Sequence, residues 1–131
     1  MAEHGTFIWN ELVTPDPDAC RKFYGALLGW TTKEMPMPEG AGPGTYSIWV
    51  AGETDAGGMF KLDENHMGEK MPAHWMAYVS VTNVDATAAE VEKLGGQVRL
   101  PPRDIPGVGR FCVITDPTGA WMSLLTLAEG T

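Results

Sequence analysis

The side chains that could do acid–base chemistry are few and far apart in the chain. Glu11 lies in an apolar segment, TFIWNELV, and Tyr78 lies in a similar segment 67 positions later. A carboxylate and a phenol in one apolar cavity could act as a base and a hydrogen-bond donor. Alternatively, Glu11 is solvated at a sheet edge or bonded to a backbone donor. No third group that would orient the pair is visible in the sequence.

Metal binding and nucleophilic catalysis have weaker support than acid–base chemistry. His4, His66 and His74 are scattered, and none of them has the spacing of metal ligands. Cys20 and Cys112 have no histidine nearby in the sequence. Two cysteines are too few for a disulfide framework, so we expect reduced thiols that pack as small apolar groups.

Composition and charge narrow the possible partners. The chain has 131 residues, and its 17 acidic and 9 basic residues give a net charge of −8. Such an acidic chain is a poor candidate for nucleic-acid binding, and no apolar run approaches the roughly 20 residues of a membrane helix. We therefore expect a cytoplasmic protein that binds neither nucleic acid nor membrane. Arg110 could bind an anionic substrate, although a salt bridge to an acidic residue is its more common fate.

Hydrophobic patterning and turn residues predict an internal repeat. The first half contains a strand over Thr6–Val13, a helix over Asp18–Leu28 and then three strands. The second half repeats this order at an offset of about 67 residues, with a helix over Asp85–Leu94. Each half is therefore βαβββ, and a half of this size is marginal alone. Predicted connections are the loops Pro38–Gly44 and Pro101–Gly109 and the linker Asp63–Pro72.

Two sets of motifs carry a resemblance to a known family. The first half contains Phe23-Tyr24 followed by Leu28-Gly29-Trp30, and the second contains Asp116-Pro117-Thr118-Gly119-Ala120. In these elements the chain resembles the vicinal oxygen chelate superfamily, which includes glyoxalase I, bleomycin-resistance proteins and extradiol dioxygenases. The details are most similar to its glyoxalase-like or hydroxylase-like branch. The resemblance implies an α+β fold, in which two βαβββ modules (about 5–63 and 73–128) form a curved mixed sheet around a cleft.

The resemblance also implies where a metal site would stand. Metal-using members take ligands from the first and last strands of each half, typically His or Gln and then Glu. The equivalent positions here hold Trp9 and Met76 on the first strands and Ser123 on the last. An indole, a thioether and a hydroxyl are poor ligands for a hard divalent ion. We therefore expect no metal and no other cofactor.

A displaced metal site is the alternative at these strands. His74 lies two residues before Met76, and Glu11 lies two residues after Trp9, so each could share the cavity-facing side of its strand. Compared with Met76 and Trp9, His74 and Glu11 are displaced in opposite directions along their strands, each by about 7 Å. This displacement argues against both side chains binding the same ion. The predicted cavity lining contains Trp9, Glu11, His74, Met76, Tyr78, Trp121 and Ser123.

The sequence therefore predicts a metal-independent, glyoxalase-like protein that binds a small, partly apolar organic ligand in the cleft. Glu11 and Tyr78 are the candidate catalytic residues. The alternatives are a lyase, isomerase or dioxygenase of the same superfamily, or a regulatory interaction protein with no small ligand. Because two-module relatives commonly pair, we expect a homodimer.

Overall fold

The computed structural model describes residues 3–36, 45–61, 72–105 and 108–128. Along them, a strand, a helix and three strands occur twice, which confirms the α+β class and the two βαβββ modules. Module one contains β1 (Phe7–Thr14), α1 (Pro17–Leu28), β2 (Thr31–Pro36), β3 (Thr45–Ala51) and β4 (Thr54–Lys61). Module two contains β5 (His74–Ser80), α2 (Val84–Val91), β6 (Gln97–Ile105), β7 (Gly109–Thr115) and β8 (Trp121–Leu127).

Each module has the same mixed arrangement of strands. Module one has the order β2-β3-β4-β1, in which β1 and β4 are parallel and the other pairs antiparallel. Module two has the order β6-β7-β8-β5, in which β5 and β8 are parallel. The chain separates into two compact units, one holding most of module one and the other most of module two together with the N-terminal residues through Trp9.

Both helices begin within one residue of the predicted start, and α1 ends at the predicted Leu28. The Asp16 side chain caps α1 by accepting a hydrogen bond from the Ala19 N–H at 3.1 Å, and Gly29 ends the helix with a left-handed φ of 73°. The Asn83 side chain caps α2 in the same way. The predicted second helix ends differently, because its last turn, Glu92–Leu94, tightens into a 3₁₀ helix. No helix among the described residues is long and apolar enough to cross a membrane.

Each helix packs on one face of its own sheet. In module one, Leu12, Trp49 and Met59 are buried against Tyr24 of α1. In module two, Val81, Cys112 and Leu124 are buried with Val84 and Ala88 of α2. Successive side chains along a strand point to opposite faces of the sheet. The strand residues next to these buried ones therefore lie on the face that the helix does not cover.

The family motif in the first half belongs to the core of module one. Tyr24 stacks on Trp30 with ring centroids 5.7 Å apart, and it meets Trp49 and Trp75 edge-on. The Trp75 indole also donates a hydrogen bond to the Tyr24 hydroxyl at 3.2 Å. The preceding Phe23 touches Tyr24 but remains 59% exposed. These aromatic contacts therefore hold α1 on its sheet.

The prediction of a loop after the second strand of the second half is partly wrong. The segment Pro101–Gly109 was expected to be irregular, but β6 continues through two prolines to Ile105. Proline has no N–H for a sheet ladder, and β6 tolerates it because it lies at the edge of its sheet and shifts register twice against β7. The predicted loop Pro38–Gly44 and almost all of the predicted linker Asp63–Pro72 lie outside the described residues.

Candidate functional site

Four predicted site residues lie on one face of module two. Val79 and Leu124 pack toward α2, so Met76 and Tyr78 on β5, and Trp121 and Ser123 on β8, occupy the face that α2 does not cover. We call this the helix-free face of module two. The two strands that carry these residues are hydrogen-bonded neighbours, so the module itself assembles this group.

Tyr78 and Ser123 are adjacent on this face. They are register partners in the parallel pair of β5 and β8, so their side chains project side by side. Ser123 is 1% exposed and Tyr78 is 8% exposed. Among the described residues, no group forms a hydrogen bond with the Ser123 hydroxyl. A buried hydroxyl without a partner is costly, which makes this position a candidate contact for a ligand oxygen.

Arg99 also belongs to this face, and the sequence reasoning missed it. Its Nε donates a hydrogen bond to the Thr115 hydroxyl at 3.0 Å, and its guanidinium carbon lies 5.4 Å from the centre of the Trp121 ring. Thr115 and Trp121 are register partners on β7 and β8. The sequence predicts a strand over Gln97–Leu100, and the only indication of a role for Arg99 was its charge within that strand. The fold was needed to bring that charge beside Trp121.

In module one, Glu11 lies on the face that α1 does not cover, because its neighbour Leu12 packs toward the helix. Glu11 is only 5% exposed, which excludes a solvated carboxylate at a sheet edge. Its register partner on the neighbouring strand β4 is Gly58. Trp9 precedes Glu11 by two positions on the same side of β1 and is half-buried. The pairing of Glu11 with Tyr78 as base and donor stays a prediction.

His74 is held at the start of β5 by the backbone. Its Nδ1 lies 2.8 Å from the carbonyl oxygen of Pro72, and because a carbonyl only accepts, Nδ1 carries the proton in this bond. Its Nε2 is buried and has no partner among the described residues. His4 accepts a hydrogen bond from the Thr82 N–H at Nδ1.

The described residues at the expected ligand positions do not suit a hard divalent metal ion. No group of three or more His, Cys, Asp and Glu side chains in the described part of the chain could hold an ion. The positions where the family resemblance places ligands hold the buried thioether of Met76 and the hydroxyl of Ser123. Neither is an adequate ligand for a hard cation.

Two other candidates have structural roles instead. Arg110 binds Asp85 of α2 through two hydrogen bonds of 2.8 and 3.1 Å and Asp104 of β6 through one of 3.1 Å. These contacts confirm the salt-bridge interpretation, and the hydrogen bonds from Arg110 lower the pKa of Asp85. Burial raises the pKa of Cys112 to about 11, so its thiol stays protonated and is a poor nucleophile.

Comparisons with known proteins identify the superfamily to which the chain belongs. Residues 6–124 match the model of the Glyoxalase/Bleomycin resistance protein/Dioxygenase superfamily. Over 123 residues the chain is 43% identical to a Mycobacterium tuberculosis protein named "Putative glyoxylase CFP32" and 33% identical to the anthracycline biosynthesis protein DnrV of Streptomyces peucetius. The alignments cover 94% and 88% of this chain but only 44% and 45% of those relatives, so the chain spans less than half of their length.

Solved structures show the same fold at low sequence identity. Methylmalonyl-CoA epimerase from Mycobacterium tuberculosis superimposes with a TM-score of 0.65 at 17% identity, over 98% of this chain and 93% of the epimerase. Homoprotocatechuate 2,3-dioxygenase from B. fuscum superimposes with a TM-score of 0.61 at 18% identity, over 97% of this chain and 33% of the dioxygenase.

Proposed function

The chain belongs to the Glyoxalase/Bleomycin resistance protein/Dioxygenase superfamily, and from this premise we propose that it is a metal-independent member that binds a small, partly apolar organic molecule. The observation that carries the proposal is the buried, unpartnered hydroxyl of Ser123 beside Tyr78. Met76 and Val113 on the same face are buried and apolar. Apolar walls with a few precisely placed polar groups are typical of small-molecule sites.

The set of possible donor groups supports the proposal of metal independence. A metal-using member needs carboxylate or imidazole ligands that converge on one point. The helix-free face of module two offers hydroxyl, thioether and aromatic groups instead. Orientation of the ligand then depends on hydrogen bonds from Tyr78 and Ser123, and affinity depends on apolar surface removed from water.

The second candidate function is an enzyme, and the burial of Glu11 favours it. A carboxylate in an apolar face of module one is a candidate base for proton abstraction by a lyase or isomerase. The name of the mycobacterial relative also points to a reaction. A regulatory protein with no small ligand is the third class, and the unpartnered Ser123 hydroxyl argues against it.

A ligand screen separates these functions. Trp121 lies on the proposed binding face, so its fluorescence should report binding. We expect a subset of small aromatic compounds to change the emission of the purified protein saturably. Release of a new product would support the enzyme. The absence of any saturable binder in a broad panel would contradict both small-molecule functions.

We also propose a cytoplasmic homodimer. Phe23 and Leu27, one turn apart on α1, are 59% and 62% exposed and would be covered more favourably by a protein surface than by water. The free thiols Cys20 and Cys112 suit a reducing compartment. Sedimentation at micromolar concentration should give about twice the 14.2 kDa mass of the chain, and a monomer would contradict the dimer.

A further inference from the structure

The ring of His74 holds a buried hydrogen-bond acceptor that no described residue uses. We infer that the bound molecule carries a hydroxyl or an amine, which donates a hydrogen bond to Nε2 of His74. This inference rests on the proposed function, because it requires a small ligand. It deepens that function by naming the hydrogen-bonding class of the ligand.

A backbone contact decides which nitrogen of the His74 ring can accept. Nδ1 lies 2.8 Å from the carbonyl oxygen of Pro72. Because a carbonyl oxygen has no hydrogen to donate, Nδ1 carries the proton in this bond. In the neutral ring, Nε2 then keeps its lone pair and can only accept. Functional histidines commonly have their tautomer selected by a backbone carbonyl in this way.

The position of His74 on β5 sets the direction of its side chain. The next residue, Trp75, donates a hydrogen bond to the Tyr24 hydroxyl of α1, so the Trp75 side chain projects toward that helix. Successive side chains of a strand point to opposite faces, so His74 projects away from α1 and on the same side of β5 as Met76. His74 therefore lies outside the aromatic core that holds α1 on its sheet.

Burial gives the unused acceptor its importance. Nε2 is buried and has no donor among the described residues, and a buried polar atom without a partner is costly. A ligand O–H or N–H would supply the donor. An ether or carboxylate oxygen would instead set its own lone pairs against the lone pair of Nε2. The expected ligand is therefore a phenol, an alcohol or an amine with a small apolar body.

The test compares a phenol with its methyl ether. Binding of 4-ethylphenol and of 4-ethylanisole to the full chain is measured by calorimetry. We expect the phenol to bind about three- to tenfold more tightly, because only the phenol can donate a hydrogen bond to Nε2. 4-Ethylaniline, which also carries a donor, should bind more tightly than the ether as well.

Three variants test whether His74 supplies the acceptor. His74→Phe replaces the imidazole by an apolar ring and should abolish the preference for the phenol. His4→Phe makes the same change at an exposed histidine, whose Nδ1 accepts from the Thr82 N–H, and should retain the preference. His74→Gln keeps an acceptor oxygen in the side chain and should retain part of it.

Nitrogen NMR of the imidazole rings tests the tautomer in the native chain. The chain has three histidines, so the spectrum is simple. We expect a neutral ring with its proton on Nδ1, whose Nε2 signal shifts when 4-ethylphenol is added but not when 4-ethylanisole is added. His4, which accepts at Nδ1, should show the opposite tautomer. A spectrum in which every neutral ring carries its proton on Nε2 would overturn the inference.

The outcomes separate the inference from the function beneath it. If the phenol and the ether bind equally well, or if His74→Phe and His4→Phe behave alike, the donor inference is overturned while the proposed function stands. If none of these compounds and no member of the broader panel binds, both are overturned. A preference for the phenol that disappears only in His74→Phe supports both.

Discussion

Glu11 is the buried carboxylate that the enzyme alternative uses as its base. It is 5% exposed and lies two positions before the fully packed Val13. The substitution Glu11→Gln keeps the shape and removes the charge. We expect the melting temperature to change by less than about 4 °C, because a neutral amide is easier to bury than a carboxylate. If the protein is an enzyme that uses Glu11 as its base, turnover of a substrate found in the ligand screen should fall at least about a hundredfold.

The control for this prediction is Glu53→Gln, an exposed carboxylate in the turn between β3 and β4. It should change neither stability nor binding. If Glu11→Gln lowers the melting temperature strongly but leaves binding and turnover unchanged, Glu11 has only a structural role.

At the scale of elements, close backbone approach determines where glycine is required. A Cβ at Gly57 would lie 2.7 Å from the Asn10 carbonyl oxygen, whereas a Cβ at Gly25 in α1 would meet only the Trp30 carbonyl at 3.4 Å. Gly57→Ala should therefore destabilise the protein. Gly25→Ala should stabilise it by about 0.5–1 kcal/mol, because alanine favours the helix. Chemical denaturation measures both, and a stabilising Gly57→Ala would contradict the packing of β1 against β4.

The attachment of α2 to its sheet should depend on pH. Hydrogen bonds from Arg110 lower the pKa of Asp85 below its unfolded value of about 4, so their contribution to stability is present above that pH. This stability is lost as the pH falls through the folded-state pKa. Asp85→Asn should therefore show a shallower drop in melting temperature between about pH 5 and pH 3. Identical pH profiles for the variant and the native protein would show that the ion pair is not linked to folding.

The elements were largely predictable because their signals are local. Capping by Asp16 and Asn83 and the stop at Gly29 follow from short-range hydrogen bonding and backbone freedom. The turn at Asp116 is equally local, since its carboxylate accepts hydrogen bonds from the Thr118 and Ala120 N–H groups. The course of β6 through Pro101 was not predictable, because edge position and register shifts are properties of the sheet.

At the scale of the whole molecule, the family could be recognised while the ligand could not. The motifs that carry the resemblance are built around Tyr24, Trp30 and Asp116, and all three have structural roles here. The candidate binding group depends instead on contacts between distant segments. Arg99, Thr115 and Trp121 meet only because β6, β7 and β8 are neighbours. The family resemblance suggested Ser123 as a site position, which stays a prediction, and the sequence carried no information about the place of Arg99.

The most direct test of the account is ligand binding before and after metal removal. The purified protein is treated with a chelator and its metal content is measured. The aromatic compound that binds most tightly in the fluorescence screen is then titrated against treated and untreated samples by calorimetry. The account predicts the same Kd and stoichiometry in both samples, with far less than one equivalent of divalent metal in either. Loss of binding on chelation, with recovery when one equivalent of a divalent metal is restored, would contradict it.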